Sequence, residues 1–212
     1  MAEIVFILGN SGTGKSRSIK NLDPAKTLIF DIGDKSLPFK CDWEDFNSKE
    51  KKGNIVHTSD INLIYKVIEF CEKEMDFDTY VLDDFQFLMS YEFFDRAKEL
   101  GYQKFTDIGT KIYHIIKKMK ALPKNKIVFI LSHTEDFVVD NQKFSKIKTI
   151  GKLLDEKLTP ESLATITLGT IVEKELGKKT MNYYFLTQNT GTSTLKSPEE
   201  MFEDLKIPND LN

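Results

Sequence analysis

The chain has 212 residues, of which 30% are charged and 40% hydrophobic, and its formal net charge is -3. This length can bury a full core, so a single domain over residues 1–212 is the simplest expectation. The balanced charge excludes a bulk polybasic nucleic-acid-binding protein, and no apolar run approaches the roughly 20 residues that a membrane span requires.

The two cysteines and the N-terminus indicate where such a chain works. Cys41 and Cys71 have no metal-site spacing, and Cys71 falls on the apolar face of a predicted helix. A reduced, cytosolic chain with inert thiols is therefore expected. The sequence begins directly with a predicted strand, which leaves no room for a signal peptide.

The first predicted element is a short buried strand, Ile4 to Leu8, followed at once by Gly9-Asn-Ser-Gly-Thr-Gly-Lys-Ser16. This octet fits the phosphate-binding pattern G-x-x-x-x-G-K-[ST] at every fixed position. Glycines allow the backbone to approach a ligand closely, and successive N–H groups then converge on an anion. Lys15 is expected to reach the β- and γ-phosphates, and the Ser16 hydroxyl to ligate Mg²⁺. The sequence therefore predicts a nucleoside triphosphate site.

The nucleotide-binding residues are predicted to form one continuous stretch of the chain. They are Gly9, Asn10, Ser11, Gly12, Thr13, Gly14, Lys15, Ser16 and Arg17.

The next hundred residues alternate between strand and helix patterns. A short helix is predicted over 15–21, followed by strands over 27–30 and 54–57, with an irregular surface excursion over 35–53. Ser59 is expected to cap a helix whose apolar face runs from Ile61 to Cys71. A strand over 79–82, helices over 86–100 and 104–122, and a strand over 126–131 follow. This alternation predicts a parallel sheet with crossover helices.

The last third of the chain has a different pattern. A small hairpin is predicted from residues 137–140 and 144–148, with its turn around Asn141-Gln142, followed by a short helix over 150–158. Two antiparallel strands are predicted over 165–173 and 180–188, then a polar loop and a short helix around 199–203. The predicted fold class is α/β, a three-layer P-loop NTPase fold whose parallel core is extended by C-terminal antiparallel strands.

Four acidic residues follow predicted strands and are candidates for metal binding and catalysis. Asp83 ends an apolar strand, where ligands sit in parallel sheets, and is expected to hold Mg²⁺ opposite Ser16. Asp84 is a candidate to orient the attacking water, although it could instead cap the next helix. Asp31, with Asp34 nearby, follows another strand and competes with Asp84 for the role of base.

His133 and a group of lysines follow the strand over 126–131. His133 lies where a polar group can sense the γ-phosphate, although a capping or core role is an alternative. The lysines at 143, 146, 148 and 152 form a local basic stripe. Lys143, Lys146 and Lys148 could neutralise the phosphates of single-stranded DNA, with Phe144 stacking on a base. A solvated charged hairpin is the alternative.

The chain resembles the RecA-core P-loop ATPases, and within them the small ones that bacteriophages encode beside recombination and single-strand-annealing genes. The resemblance rests on the P-loop, Asp83-Asp84 and Ser132-His133, and covers nearly the whole chain. The family pattern is also matched by several C-terminal stretches: Thr149-Ile-Gly-Lys152, Leu154, Tyr184-Phe-Leu-Thr-Gln188, Gly191, Lys196-Ser-Pro198 and Met201-Phe202. Asp84 departs from it, since many members carry a small hydroxyl residue there, and residues 35–53 match nothing.

The resemblance implies a RecA-like fold, ATP and Mg²⁺, a role on single-stranded DNA in the cytoplasm of an infected bacterium, and self-assembly into a homo-oligomer. RecA-like ATPases commonly complete their site from an adjacent subunit, often with a lysine on a late strand or loop. Lys196 is the sole basic residue of the polar loop over 189–198 and is therefore a candidate for that role. A solvent-facing lysine is the alternative.

Three other classes of protein use the same P-loop. A small-molecule kinase usually clamps phosphates with several arginines, and this chain has only Arg17 and Arg96. A guanine-specific switch would require an Asn-Lys-x-Asp motif, which does not occur. A binding module that uses ATP as a conformational ligand with little hydrolysis remains open.

Overall fold

The computed structural model describes residues 1–175, 177 and 179–212. Its strands, in chain order, are β1 (Glu3–Leu8), β2 (Thr27–Asp31), β3 (Ile55–His57), β4 (Thr79–Asp83), β5 (Ile127–Ser132), β6 (Thr134–Val139), β7 (Gln142–Ile147), β8 (Ile166–Lys174), β9 (Met181–Leu186) and β10 (Lys206–Pro208). Its α-helices are α1 (Ile61–Glu74), α2 (Gln86–Asp95) and α3 (Gln103–Lys120). Short 3-10 helices occur at Ser16–Asn21 and Pro160–Leu163, and a π-helix at Leu153–Lys157.

Eight of these strands form one sheet in the order β10-β9-β8-β1-β5-β4-β2-β3. The strands from β8 to β3 pair in parallel, whereas β9 and β10 add antiparallel pairs at the other edge. The predicted fold class, an α/β fold with a parallel core and an antiparallel C-terminal extension, is confirmed. The structure refines it in one respect, since β8 belongs to the parallel core.

The register of the sheet aligns the carboxyl ends of the central strands. Leu8 pairs with Ser132, and Asp31 pairs with both Asp83 and His57. Because each of these strands ends at the same edge, the residues that follow them meet there. This edge carries the candidate site.

The two faces of the sheet are covered differently. Alternate residues of the central strands, such as Phe6, Phe30 and Tyr80, pack under α1, α2 and α3. Their neighbours, such as Ile7, pack under the 3-10 turn at Ser16–Asn21, the C-terminal tail and parts of the excursion. The excursion therefore covers the core through Leu37, Phe39 and Trp43, and is more than a surface loop.

Several local predictions are wrong for identifiable reasons. Asp60, and not Ser59, caps α1, because its side chain accepts a hydrogen bond from the Asn62 N–H. The hairpin turns at Asp140-Asn141, one residue earlier than predicted, and both of these residues have positive φ. No helix forms around 199–203, where Glu200 has a φ of 62°.

The helix over 86–100 ends early, at Asp95. Arg96 there bonds Glu92, Glu99 and Asp107, which joins the end of α2 to the start of α3. Within the described residues, none of the helices combines the length and the hydropathy needed to cross a membrane.

Candidate nucleotide-binding site

The octet from Gly9 to Ser16 connects β1 to the first 3-10 turn at the carboxyl edge of the sheet. Gly12 and Gly14 have φ values of 78° and 99°, which residues with a side chain rarely adopt. At Gly9 an added Cβ would lie 1.9 Å from the Thr170 Oγ1 of β8. The loop is therefore held tightly against the sheet, as the motif predicts.

Lys15 is the buried cation of this loop, with 5% of its surface exposed. Its Nζ donates to the carbonyl oxygens of Gly9 at 2.9 Å and Asn10 at 3.0 Å. Burial lowers the pKa of Lys15 to about 8, although the carboxylates of Asp84 and Asp83 oppose that shift. An ammonium group that is desolvated in this way has a strong preference for an anionic partner such as phosphate.

Ser16 and Asp83 form the candidate metal site. Asp83 ends β4 and is 5% exposed. Burial raises the pKa of Asp83 to about 6. A hydrogen bond from the Ser16 hydroxyl acts in the opposite direction but is the weaker effect. A buried carboxylate beside a hydroxyl is an all-oxygen donor set that suits Mg²⁺. These two residues therefore fit the predicted ion.

Asp84 lies next to them in an unusual backbone conformation, with a φ of 59°. Its Oδ2 accepts a hydrogen bond from the Lys35 Nζ at 2.6 Å, and its Oδ1 lies 3.3 Å from the His133 Nε2. Burial would raise the pKa of Asp84, but the hydrogen bonds from His133 and Lys35 outweigh it and lower the pKa to about 2. The structure thus brings Asp84, Lys35 and His133, which are distant in sequence, together in the cavity beside the P-loop.

Lys35 and Gln86 are site residues that the sequence did not reveal. Lys35 belongs to the excursion, where no pattern predicted its position; its only signal is its place shortly after the end of β2. Gln86 is buried, and its Oε1 accepts hydrogen bonds from the His133 N–H at 3.2 Å and the Ser132 Oγ at 3.4 Å. Gln86 therefore fixes the position of His133.

Asp31 is close to this group but has its own partners. Its Oδ2 accepts from the Lys35 N–H at 2.8 Å and lies 3.0 Å from the His57 Nδ1, which is also 3.3 Å from Asp34. Burial raises the pKa of Asp31, although the hydrogen bonds with Lys35 and His57 act to lower it. Ligand atoms of Asp31, Asp34 and His57 all lie within 4.8 Å of one another. His57 was not predicted to take part.

These side chains surround a cavity of about 560 Å³. It is lined by Ser11, Gly12, Gly14, Lys15, Ser16, Arg17, Lys20, Asp31, Lys35, Ser36, Leu37, Pro38, Phe39, Asp83, Asp84, His133 and Tyr183. The Arg17 guanidinium lies 4.7 Å above the centre of the Tyr183 ring, so β9 also contributes to the cavity.

The predicted DNA-contacting lysines lie on the β6–β7 hairpin, but the structure pairs two of them with carboxylates. Lys143 bonds Asp136 at 2.8 Å, and Lys146 bonds both Asp155 and Glu135. Lys148 is exposed.

The predicted base-stacking residue of the hairpin also has a partner within the protein. The rings of Phe144 and Phe137 stack across the strands, with centroids 5.7 Å apart. Over residues 134–148 the hairpin carries three acidic and three basic side chains, so it has no excess positive charge.

Lys196 does not line the P-loop cavity of its own chain. Its backbone exchanges hydrogen bonds with Thr167 of β8, at 3.0 Å and 2.8 Å. Burial raises the pKa of Glu161, and the Lys196 charge opposes that shift. The loop at this point is therefore attached to the sheet and is less free than its composition suggests.

No protein-family model matches the sequence, and no curated protein matches it. Among solved structures, the KaiC-like protein of the hyperthermophilic archaeon Pyrococcus horikoshii OT3 is similar over 92% of this chain and 82% of that chain, with 12% sequence identity and a TM-score of 0.44. A similarity at this level does not identify a family.

Proposed function

We propose that the chain binds ATP with Mg²⁺ in the P-loop cavity and hydrolyses it to ADP and phosphate. One observation supports this above the others: Lys15, Ser16, Asp83 and Asp84 converge on one cavity at the carboxyl edge of a parallel sheet. A phosphate-binding loop, a metal site and a second acidic residue are the parts that phosphoryl transfer to water requires.

Each of these residues has a role that follows from its position. Ser16 and Asp83 hold the Mg²⁺, which neutralises charge on the phosphates when it is bound. Lys15 leaves the carbonyl oxygens of Gly9 and Asn10 and pairs with the terminal phosphates. Because the site is largely buried, this charge pair is weakly screened.

Asp84 and its two partners face the position of the outermost phosphate. Its low pKa means that Asp84 is ionised at neutral pH, so it orients a water molecule as a hydrogen-bond acceptor more readily than it removes a proton. Lys35 supplies a second positive charge from the same chain, and its ion pair with Asp84 holds it at the cavity. His133, positioned by Gln86, links this group to the end of β5.

The resemblance to phage RecA-core ATPases extends the proposal to single-stranded DNA during recombination or replication in an infected bacterium. That resemblance is the support for this biological setting. The kinase alternative is less consistent with the charges, because Arg96 is occupied by three carboxylates and only Arg17 lines the cavity.

The proposal is tested by changing Lys15 to alanine and measuring ATP binding by calorimetry with Mg²⁺. Removal of one partner of a buried charge pair should weaken binding by about 30-fold or more, while the fold is retained because Lys15 faces the ligand. Lys124→Ala, an exposed lysine preceding β5 at the opposite edge of the sheet, is the matched control. Unchanged ATP affinity in Lys15→Ala would contradict the proposal.

Phosphate release then separates the alternatives. An ATPase releases phosphate from ATP in the absence of any small-molecule acceptor, and a DNA-dependent one does so faster when single-stranded DNA is added. A binding module retains ATP affinity without release, and a kinase requires an acceptor.

A further inference from the structure

Asn209 lies in the tail that follows β10, and its side-chain amide is buried. It is 5% exposed, and neither its Nδ2 nor its Oδ1 has a partner among the residues that the structure describes. An unsatisfied buried amide costs stability, so its presence requires a reason.

The side chain of Asn209 lies against the P-loop. A Cβ added to Gly14 would lie 3.2 Å from the Asn209 Oδ1 and 2.7 Å from the ring of Tyr183. The tail is fixed there by the Leu211 N–H, which donates to the Ser18 carbonyl at 3.1 Å, and by the Asn209 N–H, which donates to the Tyr183 carbonyl at 3.2 Å. The unpartnered amide is therefore held at a constant position beside Gly14.

A second cavity, of about 320 Å³, continues from the phosphate cavity on this side. The two share Arg17, Lys20 and Tyr183, and the second is lined further by Asn209 and Asn182. If Lys15 and Ser16 hold the outer phosphates and the metal, the nucleoside end of a triphosphate would extend past Arg17 into this second cavity. The guanidinium of Arg17 and the ring of Tyr183 offer flat surfaces on which a base can stack.

We infer that this second cavity is the base subsite and that the Asn209 amide reads an adenine base. The inference rests on the proposed function. An asparagine amide offers a donor and an acceptor side by side, which match the N6 amino group and the N7 of adenine. Adenine would therefore satisfy both orphaned atoms at once.

Contact between a base and Asn209 requires Gly14 to shift, because Gly14 lies against the Asn209 Oδ1. In this structure Lys15 bonds the carbonyl oxygens of its own loop. A phosphate that took over the Lys15 ammonium group would remove these two bonds, which would leave the loop, with Gly14, freer to adjust.

The test compares ATP, GTP and inorganic tripolyphosphate on the wild-type chain and on Asn209→Leu. The wild type should bind ATP at least about tenfold more tightly than GTP. Asn209→Leu should lose that preference and at least about tenfold in ATP affinity, yet bind tripolyphosphate normally and melt at the same or a higher temperature, because an unsatisfied amide has been removed.

Asn125→Leu is the matched control, since Asn125 is an exposed asparagine between α3 and β5 that lines neither of the two cavities. It should keep the wild-type preference. A second measurement requires no variant: the triphosphate of purine riboside, which lacks the N6 amino group, should bind the wild type about tenfold more weakly than ATP.

Three results would overturn the inference while the proposed function stands. In the first, the wild type shows no preference for ATP over GTP, and in the second, Asn209→Leu keeps the wild-type preference. In the third result, Asn209→Leu loses affinity for tripolyphosphate to the same extent as for ATP. The last would show that Asn209 shapes the phosphate site. A wild type that binds neither ATP nor tripolyphosphate would contradict the proposed function itself.

Discussion

Asp83 and Asp84 are adjacent in sequence, but their surroundings shift their pKa values in opposite directions. Asp83 is buried at the end of β4, so its pKa rises from 3.8 to about 6. Asp84 is also buried, but the hydrogen bonds from His133 and Lys35 lower its pKa to about 2. The nucleotide-free protein therefore carries one carboxylate that opposes folding at neutral pH and one that supports it.

We expect Asp83→Asn to stabilise the nucleotide-free protein at pH 7.5 by up to about 3 kcal/mol. The raised pKa means that the ionised group destabilises the folded state; this cost is absent below about pH 3.8, grows up to about pH 6 and is complete above it. The stabilisation by Asp83→Asn should therefore be small at pH 4. Mg²⁺-dependent ATP binding should be lost. Chemical denaturation at the two pH values and calorimetry measure these effects.

Asp84→Asn is the matched comparison, and it should change the stability of the folded protein in the opposite direction. A lowered pKa gives stability that is present above about pH 3.8 and is lost as the pH falls towards 2, so removing the charge should destabilise the protein at pH 7.5 by about 1–2 kcal/mol. Asparagine tolerates the positive φ at this position. ATP binding should be retained and hydrolysis slowed. Equal effects of the two substitutions on stability would contradict this account.

The β6–β7 hairpin is the element to which the sequence assigns DNA binding. The structure shows that Lys143 and Lys146 are neutralised by neighbouring carboxylates, whereas Lys148 is exposed. A charge that is already paired releases fewer counterions from DNA. Any contribution of the hairpin should therefore come mainly from Lys148.

We expect the joint change of Lys143, Lys146 and Lys148 to alanine to weaken single-stranded DNA binding. The slope of log affinity against log salt should flatten by about 0.7, the value for one contact, and not by about 2, the value for three. The control changes Lys49, Lys51 and Lys52, which removes the same charge and also includes two paired lysines. Wild-type affinity across the salt series would make the hairpin an ordinary solvated surface.

At the scale of the whole molecule, the open question is whether one chain forms a complete site. The sequence located only Lys15 at the phosphates, which is why Lys196 of a neighbouring subunit was predicted to supply a further cation. The structure adds Lys35 and Lys20 to the lining of the same cavity, which also includes Arg17 from the predicted binding stretch. Two sources of the additional charge therefore compete, one within the chain and one between chains.

If a neighbouring subunit supplies Lys196, ATPase activity per subunit should rise with protein concentration, and Lys196→Ala should lose hydrolysis by orders of magnitude while it keeps ATP affinity. Lys35→Ala tests the alternative source. Activity that stays constant on dilution to a proven monomer, together with loss of hydrolysis only in Lys35→Ala, would show that the site is complete in one chain.

The sequence alone determined the features that short-range spacing encodes. The P-loop is recognisable because the glycines and the lysine of its pattern fall within eight consecutive residues. Asp83 is recognisable because an apolar run before an acidic residue indicates a buried strand that ends at the ligand edge of a parallel sheet. Strand and helix periods likewise predicted the parallel core.

The tertiary structure alone decided which distant side chains meet. Lys35, Gln86, Tyr183 and Asn209 reach the site from four separate parts of the chain, and no local pattern marks them. It also decided that two hairpin lysines are neutralised, because ion pairing depends on where carboxylates such as Asp155 lie in space and not on the lysine spacing that suggested a basic stripe. Local patterns specify elements; the packing of those elements sets the charges, partners and burial on which function depends.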